Sequence, residues 1–342
     1  MTIQKIGKYF DPRGLGRDSE WRRKIASEQL STSKKMIGYC KVVSQCPICE
    51  SYSKEKYAVV YNYPYFECLD CGHIYCSKVM DNDSIKTLYD DESENKTLQN
   101  HIYLEPGIFE KRVKAVADDK VKFICDVLKQ KKLTMKGTWL DIGCGAGEVV
   151  YVARKMGWSV RGIESDRAEA DFFKTMGIDV DTTYLDAANC KDLLRDVSLV
   201  SVINVLEHVA DPKGFIKMIA DVLEDMIFVF EVPRHPSISS LSSKLAPNLS
   251  YRHIYPPDHL HIFSDNSISL MLENSSLEII GRWNFGQDAF DLFQTIACLS
   301  DIKENAFWES ILDVCPKLQS VIDENNLSDT SLIITKKRID SE

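Results

Sequence analysis

No stretch of this 342-residue sequence approaches the roughly 20 consecutive apolar positions that a helix needs to cross a bilayer, and the opening MTIQKIGKYFDPRG has no apolar run of the kind a secretory signal carries. The expectation is a cytoplasmic protein without membrane insertion. Excess basic charge is missing too: 42 Lys and Arg stand against 51 Asp and Glu, a formal net charge of -9. That balance argues against broad capture of a nucleic-acid backbone, which depends on many cations neutralising phosphates. No internal repeat is visible. Structural disulfides are not expected, because four of the eleven cysteines cluster at metal-ligand spacing and the rest are scattered, as buried thiols in a reducing compartment are. Apolar residues make up 44%, enough for a core, and the length suits one large domain with a small appended module.

Four regions are expected. Residues 1–40 mix basic, acidic and Ser/Gly positions without a sustained period and read as a weakly ordered arm with one short helix around 21–30. Residues 41–80, rich in Cys, Tyr and Val, read as a metal-binding knuckle. An acidic stretch at 81–100 opens a linker, and within 81–133 Phe109, Val113, Val116, Val121, Ile124 and Val127 recur at helical intervals, predicting a helix that covers the main domain. From 134 to 342 short apolar runs alternate with amphipathic segments, the pattern of strand–helix units and a mostly parallel sheet. The spacing predicts strands at 138–142, 159–163, 178–180, 199–204, 227–232, 277–283 and 332–335, with a helical insertion at about 288–326. The fold expected is therefore α/β and Rossmann-like, with seven strands and helices on both faces.

The strongest local signal is TWLDIGCGAGEVVYVARKMGWSVRGIESD, a buried strand running into Gly143, Cys144, Gly145 and Gly147 and then into a helix. Glycines at this turn let a ligand approach the backbone, and the helix terminus offers free amides. A plain tight turn is the plainer alternative. Asp141 precedes the loop, and Glu148 stands where a dinucleotide site of the G-x-G-x-x-G type needs its third glycine. Two carboxylates flanking the loop repel a pyrophosphate and suit a ligand carrying an ammonium and a sulfonium. Glu164, followed by Ser165, ends the next strand, where a carboxylate can accept hydrogen bonds from ribose hydroxyls. Together these residues favour S-adenosylmethionine over NAD.

From Leu140 to Gly147, and at Glu164, the sequence resembles the class I S-adenosylmethionine-dependent methyltransferases, and the resemblance extends over roughly 134–283. It implies that Asp186 lies near the adenine amine and Asn204 near the methionine portion. The passage NVLEHVADP, from Asn204 to Pro212, resembles the post-strand motif of a branch that includes ubiquinone-type O-methyltransferases and polysaccharide-cluster methyltransferases. In the ubiquinone-type enzymes an acid stands at the Asn204 position and, with the following Glu and His, can hold a divalent cation; Asn204 breaks that set. His208 is then the first candidate for general base, with Glu207 orienting it, since an imidazole titrates near neutrality. The plainer alternative is a helix cap packed against the loop. In YRHIYPPDHLHIFSDNS, His259 is the second acid–base candidate, His261 reads as a packing residue, and His235 after the fifth strand is a candidate substrate contact. A base is dispensable where the acceptor is already nucleophilic and held in line.

Cys46 and Cys49 in CPIC, and Cys68 and Cys71 in CLDCGH, form two short pairs that can aim four thiolates at one point, so a structural zinc ion is expected. His73 and Cys76 are spare ligands. Four unrelated thiols, or a redox pair lacking its thioredoxin-like context, are the alternatives. Such a closed site serves structure, either covering an acceptor pocket or docking a partner protein.

Three functions are compatible with this sequence to different degrees. The resemblance, which also takes in the EVP strand end and the passages FGQDAFDLF and LQSVIDENNLSDTSLIITKK, implies methyl transfer to a small-molecule or carbohydrate acceptor such as a nucleotide-linked sugar or surface glycan. An RNA methyltransferase gripping RNA by its knuckle is opposed by the acidic balance, by the lack of an Asn-Pro-Pro-aromatic motif and by the few cations there, Lys54, Lys56 and Lys78. A non-catalytic scaffold is opposed by the intact loop and Glu164.

Overall fold

The computed structural model describes residues 1–9, 11, 19–80, 104, 107–222, 226–273, 275–300 and 306–338, the side chains of 306 and 307 apart. The acidic stretch at 81–100 lies outside the described residues. In chain order the strands are β1 (Ile3–Ile6), β2 (Cys40–Val42), β3 (Lys54–Val60), β4 (Tyr63–Cys68), β5 (Ile74–Cys76), β6 (Lys78–Met80), β7 (Thr138–Ile142), β8 (Ser159–Ile163), β9 (Asp179–Asp181), β10 (Val197–Ile203), β11 (Ile227–Pro233), β12 (His261–Ile262), β13 (Leu277–Phe285) and β14 (Thr330–Lys337). The helices are α1 (Ser19–Met36), α2 (Ile108–Arg112), α3 (Asp118–Gln130), α4 (Glu148–Lys155), α5 (Arg167–Thr175), α6 (Cys190–Leu193), α7 (Pro212–Val222), α8 (Ile238–Leu245), α9 (Asp265–Glu273), α10 (Asp288–Leu299) and α11 (Ala306–Glu324). A π-helical turn at Val113–Ala117 joins α2 to α3.

The main sheet has the order β1-β13-β14-β11-β10-β7-β8-β9. Among the described residues only β14 runs antiparallel to its neighbours. It thus has eight strands rather than the seven expected. The extra one, β1, pairs in parallel with β13 at the sheet edge and alternates between half-buried and exposed positions. Its anchors come from elsewhere: Lys5 sits 3.5 Å over the Trp283 ring, and Trp283 Nε1 donates to the Gly7 carbonyl at 2.9 Å. Four residues with so little apolar pattern of their own carry no readable strand period.

Period-2 alternation sends successive residues of each central strand to opposite faces. Trp139, Leu199, Ile227 and Val229 pack on one side against Val121, Ile124 and Leu128 of α3 and Val149, Val150 and Ala153 of α4. On the other side Leu140, Ile142, Val200, Val202, Phe228 and Phe230 pack against Ile216 and Ile219 of α7 and Ile268, Met271 and Leu272 of α9. Two apolar layers therefore cover the sheet with helices on both faces. From β7 the chain winds outward through β8 and β9, then returns to start again at β10 on the other side of β7. The carboxyl ends of β7 and β10 thus open onto the crevice where an α/β sheet of this kind binds ligands.

A second, four-stranded sheet has the order β12-β5-β4-β3, all antiparallel. β3, β4 and β5 belong to the cysteine-rich segment, whereas β12 comes from the chain after β11. Helix α1 spans 18 residues, well beyond the short piece expected. Its buried side includes polar groups: Arg22 donates to the Asp291 carbonyl at 3.0 Å, and Gln29 to the Pro256 carbonyl at 2.6 Å.

Candidate active site

At the end of β7 the chain must turn beneath whatever occupies the crevice. Gly143 has φ +67°, and a Cβ there would meet Val205 Cγ2 at 2.7 Å; Gly147 has φ +86°, and a Cβ there would lie 1.9 Å from the Phe173 ring. Both conformation and space therefore require glycine. The Gly143 and Cys144 amides donate to the Ile163 carbonyl at 2.8 and 3.1 Å, pinning the loop to the end of β8. The Cys144 thiol is buried, and burial raises its pKa well above the ordinary thiol value.

Carboxyl groups gather around this loop. Asp141, 2% exposed, accepts from Ser201 Oγ, which accepts in turn from Trp139 Nε1 at 2.7 Å. Burial pushes Asp141 up to about 7 despite that hydrogen bond. Glu164 is raised by burial as well; its two oxygens accept from the Gly145 and Asp166 amides, each at 2.8 Å. Glu169 on α5 was not foreseen. It is 6% exposed, and burial followed by the charges of Glu164 and Asp166 pushes it up to about 9. Glu148, read in the sequence as flanking the ligand, forms an ion pair with Arg112 of α2 instead. Ser165 is half-buried, and Asp186 is exposed, its Oδ1 accepting from the Ala188 and Asn189 amides at 2.9 and 3.1 Å. Asn204, at φ +55°, is exposed at the end of β10, and its amide donates to the Glu231 carbonyl at 3.2 Å. Acids held against their preference to ionise, beside a backbone cradle with no room for side chains, fit a cationic ligand rich in hydrogen-bond donors.

Beside the loop, where Val205 faces Gly143, a single turn at Leu206–His208 follows β10. Glu207 is 1% exposed, its Oε2 has no hydrogen-bond partner among the described residues, and burial pushes its carboxyl up to about 8. Burial holds His208 down at about 4 and His259 well below the ordinary imidazole value, so both rings are neutral. The two rings meet edge to face with centroids 4.5 Å apart. Glu207, His208 and His259 each offer one ligand atom, and these three atoms lie within 4.8 Å of one another. Residues chosen from two distant passages are thus brought together. The trio can take up a proton or hold a divalent cation. His235 stands elsewhere, its Nδ1 2.9 Å from Ser240 Oγ and its Nε2 3.5 Å from Glu67. The neighbouring network of Arg252, Asp291 and Asp329 was not read from sequence: Arg252 pairs with both acids, and His253 lies 3.3 Å from Asp329.

Cys46, Cys49, Cys68 and Cys71 form a second cluster within 4.8 Å. Their sulfurs pair at 3.6 Å (Cys46 with Cys71) and 3.4 Å (Cys49 with Cys68), and none of the eleven cysteines is disulfide-bonded. A tetrahedral ion with sulfur bonds of about 2.3 Å sets its ligands about 3.8 Å apart, so the four thiols fit zinc after small adjustments. No helix among the described residues is long and apolar enough to cross a membrane.

The family described as a methyltransferase domain matches residues 109–281, just over half of the chain, and the chain belongs to that family. Its fold is accordingly the Rossmann-like methyltransferase fold. Similar solved structures include a magnesium protoporphyrin IX methyltransferase from Synechocystis PCC 6803 with bound SAH, at 11% identity over 75% of this chain and 100% of that one, TM-score 0.49. Another is a SAM-dependent methyltransferase from Archaeoglobus fulgidus, at 20% identity over 67% of this chain and 98% of that one, TM-score 0.40. A third, from Clostridium acetobutylicum ATCC 824, shares 13% identity over 69% of this chain and 96% of that one, TM-score 0.41. No curated protein matches the sequence.

Proposed function

We propose that the chain transfers a methyl group from S-adenosylmethionine to a small-molecule or carbohydrate acceptor, with a nucleotide-linked sugar or surface glycan as the leading class. The observation that carries the donor assignment is the set of buried carboxyls, Asp141, Glu164 and Glu169, around the glycine loop at the switch point of the sheet. When bound, S-adenosylmethionine supplies an electrophilic methyl group on a sulfonium. Glu164 takes the ribose hydroxyls, Asp141 and Asn204 flank the amino-acid portion, and the loop amides lie beneath it. On the acceptor side His208 is neutral at physiological pH, a base weakened by burial, and takes the acceptor's proton as the methyl group leaves sulfur. Glu207, buried within 4.8 Å of it and raised to about 8, orients the ring as a largely uncharged acid, while His259 packs edge-on and limits the ring's rotation. Cys46, Cys49, Cys68 and Cys71 hold a structural zinc ion. The carbohydrate class rests on the sequence resemblance, and the acidic balance of the chain speaks only against RNA.

Transfer of labelled methyl groups from S-adenosylmethionine to a panel of nucleotide sugars, glycans and RNA transcripts tests the reading. Label in the sugar or glycan fraction, lost on His208→Ala, is expected. Label in RNA alone would give the protein the RNA-directed role, and failure to take up the donor would reduce it to a scaffold.

A further inference from the structure

We propose that the four-cysteine ribbon is the positioning device of the acceptor side, fixing Glu207, His208 and His259 relative to one another through hydrogen bonds from its own strands. The inference rests on reading that trio as the acceptor-side group. Two separate ties carry it.

The first tie runs through the backbone. β12 completes the ribbon sheet by pairing with β5, His261 opposite Tyr75 and Ile262 opposite Ile74. Just before β12, the Cys76 amide donates to the Leu260 carbonyl at 2.8 Å, and the Leu260 amide donates to the Glu207 carbonyl at 2.7 Å. Tyr65 of β4, fully buried, donates its hydroxyl to the His259 carbonyl at 2.6 Å. The peptide bearing His259 is therefore held from one side by the ribbon and joined on the other to the turn bearing Glu207.

The second tie runs through two imidazoles. His73 follows the ligand Cys71 by two positions, and its carbonyl accepts from the Cys68 amide at 2.9 Å, so the knuckle turn sets its place. His73 Nε2 lies 3.1 Å from His261 Nδ1, and His261 Nε2 lies 2.9 Å from the Val209 carbonyl. A carbonyl only accepts, so His261 Nε2 carries a hydrogen. In a neutral ring its Nδ1 then accepts, and His73 Nε2 must be the donor. The chain of hydrogen bonds ends at Val209, the residue after His208. Ser264 Oγ also donates to the Cys71 carbonyl, closing the same joint beyond β12.

The ribbon's apolar interior is likewise shared, since Tyr63, Tyr65 and Ile74 pack with Ile254, Leu260 and Ile262. The donor loop, by contrast, hangs on β7 and β8 of the main sheet, so the ribbon governs one end of the crevice and not the other.

The test uses the full-length, zinc-loaded protein with ring-labelled histidine, comparing wild type with His73→Leu, His73→Gln and Tyr65→Phe. Zinc content, affinity for S-adenosylhomocysteine and the ring nitrogen resonances are measured, followed by turnover on the acceptor found in the transfer panel. Leu at 73 and Phe at 65 are expected to shift the His208 and His259 resonances and to lower kcat by about 10- to 100-fold, with the affinity for S-adenosylhomocysteine unchanged. Gln at 73, which keeps a donor near the Nε2 position, is expected to restore both. If His73→Leu sheds zinc or fails to fold, Tyr65→Phe decides alone, because Tyr65 lies outside the knuckle turns. Resonances that stay in place in a zinc-loaded variant, or an affinity that falls in step with kcat, would overturn the proposal. Absence of S-adenosylhomocysteine binding in the wild type would instead refute the methyltransferase reading.

Discussion

The two ends of the crevice are built by opposite means. The donor end is local: one strand, one glycine loop and the tip of the next strand, Asp141 to Asp166, supply the cradle and most of its acids. The acceptor end is assembled from afar, with Tyr65 to Cys76, Leu206 to Val209 and His253 to Ser264 meeting through sheet pairing and single hydrogen bonds. A locally coded site tolerates changes elsewhere in the chain, whereas an assembled one fails when any of its contributors moves. Single substitutions either separate the two ends or show them to be one.

The largest separation is expected from His208→Ala, which should lower kcat by about 10²- to 10⁴-fold while leaving donor affinity within about twofold; single-turnover kinetics with calorimetry reads both. An equal loss of donor affinity would mean that the two ends are one unit. Gly147→Ala attacks the donor end, since its Cβ would lie 1.9 Å from the Phe173 ring at φ +86°. Strain and overpacking together should cost about 3 kcal/mol of stability, measurable by urea unfolding. Glu164→Gln keeps the shape and removes the charge; donor affinity should fall about 10-fold, with no change in the His208 ring signal.

Acidity sharpens the comparison further. Asp141 and Glu169 titrate at about 7 and about 9 in the folded chain, above the ordinary carboxyl range of about 4. Between pH 4 and 9 these two groups have released in the unfolded chain protons that the folded chain still holds, so their contribution to the stability of the ligand-free protein falls as pH rises through that window, against the opposite contribution of the buried histidines below about pH 6.5. A cationic donor favours the ionised acids and releases those protons. Donor affinity should therefore rise between pH 7 and 9, by at most about tenfold per unit for each proton released. The smallest effect is expected from Ser201→Ala, which leaves Trp139 Nε1 and Asp141 without their shared partner and should cost about 1 kcal/mol.

This contrast also explains what was readable in the sequence. The strands at 138–142 and 159–163 stand where their patterns placed them, because apolar period, glycine turn and helix start all fall within 30 residues. β1 was missed because its order comes from Trp283 and from the edge of β13, which no local window contains. The length of α1 was missed for a related reason: its buried side includes Arg22, Gln29 and Ser33, which look solvent-facing until Asp291 and Pro256 are seen to take their hydrogen bonds. Glu207, His208 and His259 were each chosen on chemistry, yet their convergence depends on β12 joining β5, a pairing across about 190 residues. Glu148 and Glu169 exchange places for want of a partner's position, Arg112 neutralising the first and leaving the second to face the loop at Gly145.

Calorimetric titration of the zinc-loaded protein with S-adenosylmethionine, run in parallel with NAD, tests the donor assignment most directly. Saturable one-to-one binding of S-adenosylmethionine, tightening from pH 7 to pH 9, with no heat from NAD, is the predicted result. Saturable binding of NAD, or none of S-adenosylmethionine, would contradict it.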